Sequence, residues 1–336
     1  MHALTFSRFG GPEVFEWSAL PDPVPSPGIA IVRTAAIGLN FADIYRRQGR
    51  YHLAGSPPWI AGYEAAGTIA ALHPDDSRGG WSLGQRVAFA DSPYANAELV
   101  AVPLDKLIRL PVHTDFDTAA AVLLQGMTAQ FLSSDSYAVR AGDNVLVHAA
   151  GGGVGLLLTQ LATAHGARVI ALASSAEKRE AALLAGARLA IDSGDGWVKR
   201  VRAALPDGAD VVYDSIGGTL GNSLDLTRTG GTVVFYGMAA GNPDPVDPRV
   251  LMDRSLTLVG GDLWNVLTSA QARQERADAL FAAIRDGALR VPIAARFALA
   301  DGAKAHALLE GRGVSGKVLL IPKHMDVQVP RAEDAQ

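Results

Sequence analysis

The chain contains no cysteine. Disulfides, thiol nucleophiles and thiolate metal sites are therefore excluded, although the redox state of the compartment is not marked by that absence. There is no basic tract either: lysine and arginine are scattered, and the formal charge is −4. Neither nucleic acid nor anionic lipid would be generally attracted, so no nucleic-acid partner is expected. No apolar run approaches the roughly 18 residues that span a bilayer, and the opening MHALTFSRFGG holds no apolar signal core. A cytoplasmic protein without membrane association is expected. The eight histidines include no H-x-x-x-H pair, and no internal repeat is visible. What remains is 336 residues, 49% hydrophobic and 19% charged, enough for a large core and better suited to two domains than to one.

The most informative stretch is 143–175, DNVLVHAAGGGVGLLLTQLATAHGARVIALASS. Alternating Val145 and Val147 read as a strand, Gly151, Gly152, Gly153 and Gly155 as a tight turn, and 154–164 as an apolar helix. A second strand at 168–173 follows the glycine stop at Gly166, which makes a βαβ unit. Glycines let a ligand approach the backbone, and the helix N-terminus favours a pyrophosphate. The glycine pattern gains specificity from the strand before it and the helix after it.

The rest of the chain frames this unit. Residues 1–110 are β-rich, with apolar or alternating runs at 29–37, 60–72, 85–90 and 97–102 and a short helix within 37–49 for which Asn40 is a suitable N-cap. A polar loop occupies 73–80. A helix at 119–132 precedes the alternation of strands and helices: strands at 189–192, 210–215, 232–237 and 256–260, helices at 176–184, 197–205 and 220–227. With 144 onward and 168–173 that makes six strands, the number in a complete doubly wound dinucleotide-binding domain. Helices at 269–287 and 301–309 and a strand at 317–321 are expected to return and complete the first domain. The predicted division is 1–118 with 264–336, and 119–263. The tail from Lys323 is polar and expected to be mobile.

No acid stands at the tip of the second strand, where an NAD site places Asp or Glu. Ser174 and Ser175 can donate to a 2′-phosphate and Lys178 can supply charge, which favours NADPH, with NADH a weaker alternative. The competing reading is that the serines cap the helix and Lys178 is a solvated surface charge. Glu177 adjoins the same turn.

GLNFADIYRRQGRY (38–51), PWIAGYEAAG (58–67), LLQGMTA (123–129), HAAGGGVG (148–155), VVYDSIGG (211–218) and GKVLLIP (316–322), in this order, make the chain resemble the medium-chain dehydrogenase/reductase superfamily, most closely its zinc-free NADPH:quinone oxidoreductase branch. The resemblance implies an α/β doubly wound Rossmann domain beside a β-rich GroES-like catalytic domain. It implies an NADPH-dependent reductase that passes hydride to a quinone or another activated carbonyl or alkene, a small electrophilic acceptor. Enoyl or alkenal double-bond reduction is the enzymatic alternative, and a non-catalytic NADPH-binding protein the other. Zinc members carry Cys where this chain has Asn40 and His where it has Tyr63, so no metal site is expected; for Glu64, a structural role in its turn is expected.

By the same resemblance Asn40, Tyr45 and Tyr51 line the cleft as catalytic-side residues and Thr128 contacts the cofactor. Gly152, Gly153 and Val154 hold the pyrophosphate, Ser215, Ile216, Tyr236, Gly237 and Met238 border ribose and nicotinamide, and Lys317 reaches the cofactor. An amide and two phenols can hold a carbonyl oxygen and stack on a quinone ring; ordinary helix packing explains the two tyrosines equally well, and a strand-start lysine facing water is the alternative for Lys317. The sequence departs from the branch at Ser193, where a tyrosine often supports the 2′-phosphate, at Gly260 and Gly261 in place of an arginine, and at Met238 in place of an asparagine. The resemblance also implies a homodimer formed through the strand at 256–260.

Overall fold

The computed structural model describes residues 1–76 and 80–323. The tail expected to be mobile lies outside these residues from 324 onward, as do positions 77–79 of the polar loop. No helix among the described residues is long and apolar enough to cross a membrane.

The chain opens with β1 (His2–Phe6) and β2 (Glu16–Ala19), which pair antiparallel, and continues through β3 (Ile29–Gly38) and α1 (Phe41–Arg47). The run expected as one strand at 60–72 is two, β4 (Trp59–Ile60) and β5 (Ala65–Ala71). Gly62 breaks it with φ +87°, a conformation that only glycine adopts without strain. β6 (Arg86–Phe89), β7 (Leu99–Pro103) and β8 (Ile108–Arg109) follow, then α2 (Phe116–Phe131).

The alternating part comprises β9 (Asn144–Val147), α3 (Gly153–Ala164), β10 (Arg168–Ala173), α4 (Ala176–Leu184), β11 (Leu189–Asp192), α5 (Trp197–Ala204), β12 (Ala209–Asp214), α6 (Leu220–Leu226), β13 (Thr227–Phe235), α7 (Pro248–Arg254) and β14 (Thr257–Gly260). The six strands form one parallel sheet in the order β11-β10-β9-β12-β13-β14. The order reverses between β9 and β12, and this switch point is where a doubly wound sheet binds its ligand.

α8 (Ala270–Arg285), β15 (Ile293–Ala298), α9 (Gly302–Glu310) and β16 (Lys317–Ile321) close the chain. β16 pairs antiparallel with β3 and parallel with β15, so the C-terminal strands enter the sheet of the N-terminal half, in the order β15-β16-β3-β5-β6-β8 with β7 also on β3.

α2 joins the two sheets. It is apolar on nearly every side, and one buried cluster runs from Ala36, Ala66 and Ala88 of the mixed sheet through Ala119 to Leu123 of this helix to Val145, Val147 and Leu157 of the parallel unit. Small residues allow the close approach: a Cβ on Gly38 would stand 2.1 Å from the Ala120 carbonyl oxygen.

Candidate active site

β9 ends at Val147, and the chain turns through Ala149, with φ +48°, and three glycines into α3. Gly152 is the extended N-cap residue and brings no side-chain oxygen, so the first-turn N–H groups of α3 are left for an anion. The turn is packed on three sides. A Cβ on Gly155 would lie 2.4 Å from the Ala149 carbonyl oxygen, one on Gly153 2.0 Å from Gln125 Oε1, and one on Gly151 2.6 Å from Lys178 Cβ. At Gly152 the nearest atom, the Ala149 carbonyl oxygen, would be 3.2 Å away, a tight contact but the loosest of the four.

The turn borders a cleft of about 490 Å³, lined on one side by its glycines and on the other by α1 and the loop after it. Gly152, Gly153, Val154 and Ser174 line it, as do Ser215, Ile216, Tyr236 and Gly237 at the strand ends. Asn40, Tyr45, Tyr51, Thr128 and Lys178 also line it. Thr128 Oγ1 donates back to the Leu124 carbonyl at 2.7 Å, which fixes its rotamer.

Three expected residues are placed otherwise. Ser175 is the N-cap of α4, its hydroxyl accepting from Lys178 N–H at 3.3 Å; of the two serines only Ser174 faces the cleft. Met238 turns its backbone N–H to the Tyr45 hydroxyl at 3.2 Å and is not among the lining residues. Lys317 neither reaches the cleft nor faces water. It is 1% exposed, and its Nζ donates to Glu64 Oε2 at 2.6 Å and to Asn40 Oδ1 at 2.9 Å. A buried ammonium requires such partners, and the geometry of β16 beside β3 supplies them.

Glu64 is correspondingly structural. Its other oxygen accepts from Leu124 N–H of α2 at 2.7 Å, and Oε2 also accepts from Asn40 Nδ2 at 2.9 Å. Asn40 Nδ2 reaches the Gly38 carbonyl at 3.3 Å as well, so the amide expected to hold an acceptor oxygen is engaged within the protein. Asn40 begins α1, with its N–H donating to Asp43 Oδ2 at 2.9 Å.

The phenols are set by partners across the cleft. Tyr51 donates to Asp262 Oδ2 at 3.2 Å. Burial, then the Asp262 carboxylate, raises the Tyr51 pKa, so it stays a neutral donor. Burial likewise raises Tyr45.

Two groups escaped the sequence reading. Arg312, with φ +53° in the connection between α9 and β16, lines the cleft, and its carbonyl accepts from Lys178 Nζ at 2.6 Å. Its guanidinium donates to the Ala239 carbonyl. The signal was a single cation between glycines in EGRGVSGK, too common in loops to single out. Burial, then the Arg312 charge, lowers the Lys178 pKa. The second group is His148, buried on the cleft wall, whose Nε2 lies 3.0 Å from Ser223 Oγ while that hydroxyl donates to Asp214 Oδ2 at 2.6 Å. Burial lowers the His148 pKa against the opposing pull of Asp214.

Zinc does not fit this donor set. Asn40 is fully engaged, Tyr63 Oη accepts from Ala54 N–H at 3.2 Å, and the Tyr63 ring lies 3.7 Å beneath the Arg46 guanidinium carbon. The Lys317 ammonium already stands between Asn40 and Glu64. No group of three His, Cys, Asp or Glu side chains that could hold a metal ion occurs among the described residues.

A doubly wound parallel sheet, a glycine turn at its switch point and a cleft shared with a mixed-sheet unit define a two-unit nicotinamide-dependent oxidoreductase. Residues 26–112 match the alcohol dehydrogenase GroES-like domain family and residues 153–278 the zinc-binding dehydrogenase family. The chain is 39% identical over 324 residues to a quinone oxidoreductase of Pseudomonas aeruginosa, covering 95% of this chain and 99% of the relative. It is 36% identical to a 2-haloacrylate reductase of a Burkholderia species, covering 96% and 99%. The crystal structure of Escherichia coli quinone oxidoreductase complexed with NADPH superposes with TM-score 0.91 at 33% identity, covering 96% of this chain and all of the other. The chain belongs to the medium-chain dehydrogenase/reductase superfamily, in its quinone oxidoreductase-like branch.

Proposed function

We propose that the cleft reduces a quinone, or another activated carbonyl or alkene, with hydride from NADPH and without zinc. The observation that carries this reading is that the glycine turn and the Lys178–Arg312 pair open onto the same cleft as Tyr45 and Tyr51. The α3 N-terminus at Gly152, Gly153 and Val154 takes the pyrophosphate. Ser174 donates to the 2′-phosphate and Lys178 and Arg312 surround it with positive charge, which makes NADH the poorer cofactor. Ser215, Ile216, Tyr236, Gly237 and Thr128 border the ribose and nicotinamide. NADPH, when bound, supplies the hydride. Around it the protein orients the acceptor, excludes water, and offers the Tyr51 hydroxyl, turned from Asp262, to the oxygen on which charge develops. Asn40 acts by fixing the start of α1 rather than by touching the acceptor.

Residues 119–263 form the cofactor-binding unit, and 1–118 with 264–336 the catalytic unit. The protein works in the cytoplasm as a homodimer joined along β14, which has only β13 as a neighbour among the described residues and whose free edge would otherwise invite pairing. Measuring NADPH oxidation with a benzoquinone, with an α,β-unsaturated ketone and with neither tests the reading. Turnover with at least one acceptor is expected. Tight NADPH binding without turnover on either would make the chain a cofactor-binding protein.

A further inference from the structure

Arg46 stands one residue beyond Tyr45 on α1 and is 2% exposed. Its charge has one close partner: Nη1 donates to Asp43 Oδ1 at 3.1 Å, and Nε donates to the His52 carbonyl at 3.2 Å. Nη2 is shielded from solvent and has no hydrogen-bond partner among the described residues. A buried guanidinium N–H without an acceptor costs about 1–3 kcal/mol or more, and this one belongs to a residue of the cleft wall.

The surroundings say what reaches it. The guanidinium carbon lies 3.7 Å from the Tyr63 ring centre, 5.1 Å from that of Tyr51 and 5.8 Å from that of Trp264. Arg46, Tyr51, Asp262 and Trp264 all line the cleft. Tyr51 is tied to the turn that carries Trp264 by its bond to Asp262 at 3.2 Å and by a side-chain hydrogen bond with Trp264, and Nη2 is shielded behind this wall, so an acceptor oxygen reaches it by displacing part of the wall. The facing pieces are therefore aromatic walls, one charge-assisted donor and a phenol.

We propose that Arg46 Nη2 is the oxygen-binding site for the acceptor, joined by the Tyr51 hydroxyl once it turns from Asp262, and that the site selects an uncharged conjugated carbonyl over a carboxylate. This rests on the reductase function above. In the reaction a hydride adds to a carbon conjugated with the carbonyl. The displaced π pair moves to the oxygen, NADPH becomes NADP⁺, and a proton from solvent completes the reduced product. Arg46 stabilises the oxygen while it carries that charge, the part for which Asn40 has no free donor. The selectivity follows from charge: Arg46 is already matched by Asp43, and Asp262 adds a carboxylate to the same wall, so an acceptor carboxylate meets no net positive site.

The test compares the wild type with Arg46→Gln and Arg46→Lys on 1,4-benzoquinone, cyclohexenone and 2-chloroacrylate. The wild type should reduce at least one of the two uncharged acceptors, and 2-chloroacrylate at least tenfold less efficiently than it. Both variants should lose about 10- to 100-fold in kcat/KM for that acceptor, with NADPH affinity by fluorescence changed less than threefold. A non-reducible hydroxyarene, p-nitrophenol, should perturb tryptophan emission in the NADP⁺ complex of the wild type and bind at least tenfold more weakly to the variants. Arg46→Lys keeps the charge beside Asp43 and loses the fork, so it decides the matter if Arg46→Gln does not fold. Wild-type turnover undiminished in Arg46→Lys, or equal efficiency on 2-chloroacrylate, would overturn the proposal alone. No turnover with any acceptor by the wild type would overturn the reductase reading, and unchanged p-nitrophenol binding in the variants would then dispose of the oxygen site as well.

Discussion

Lys178 illustrates how much one side chain can carry. Its backbone N–H completes the cap of α4, its Cβ presses against Gly151, and its ammonium reaches across the cleft to Arg312. Lys178→Ala should raise the Michaelis constant for NADPH about 10- to 100-fold and that for NADH less than threefold, read from initial rates at varied cofactor. Equal changes would remove Lys178 from the 2′-phosphate. The pH dependence has a definite sign. Burial and Arg312 hold the Lys178 pKa below that of a free lysine. The cation is therefore complete below this lowered pKa and lost as pH rises through it, and NADPH affinity in the free enzyme should decline with it on the alkaline side. Lys178→Arg should flatten that decline, because a guanidinium keeps its proton. The place of Lys178 on the cleft wall was legible because its neighbours in sequence are its neighbours in the turn. Lys317 was not: its partner Glu64 is 253 positions away, and no local pattern marks a strand-start lysine as buried.

At the scale of elements the glycine turn separates two tasks that its glycines share in the sequence. Gly152→Ala puts a methyl 3.2 Å from the Ala149 carbonyl oxygen, a contact that a shift of a few tenths of an ångström relieves, whereas Gly155→Ala drives one to 2.4 Å from the same oxygen. Gly152→Ala should leave the thermal midpoint within a few degrees of wild type and weaken NADPH binding at least tenfold. Gly155→Ala should lower stability by about 1–3 kcal/mol in a denaturant titration. The reverse pattern would mean that the pyrophosphate rests elsewhere. Elements with a strong period were readable almost to the residue, as in β10, α4 and β11, where apolar runs and caps agree. α7 was missed because it has no buried residue and so no apolar face to leave a period. β15 was missed because IAARFA carries Arg296 in mid-strand, and its pairing with β16 is set by the return of the chain.

For the whole molecule, the two sheets are locked through α2 but meet across the cleft by a few polar contacts: Tyr45 with Met238, Tyr51 with Asp262, and Arg312 with Ala239. Such contacts are weaker than a shared apolar core and suit a cleft that admits and releases ligands. The parallel sheet ends at β14, where Leu258 and Val259 are half-buried in the single chain. For the dimer proposed along β14, the wild type should sediment as a dimer and Val259→Lys as a monomer that still binds NADPH; a monomeric wild type would dispose of the dimer, and a dimeric variant would place its interface away from β14.

The Lys317 ammonium, held by Asn40 and Glu64, bears on re-engineering. It stands beside Asn40, the position at which the resemblance gives zinc members a cysteine. Restoring only the two ligand types, as Asn40→Cys with Tyr63→His, should leave the protein unable to retain zinc through dialysis, because a divalent ion would have to enter beside a resident positive charge. Adding Lys317→Ala should permit retention, measured as metal per chain. The barrier between the metal-dependent and metal-free forms of this fold would then be a third residue, one that is no ligand at all.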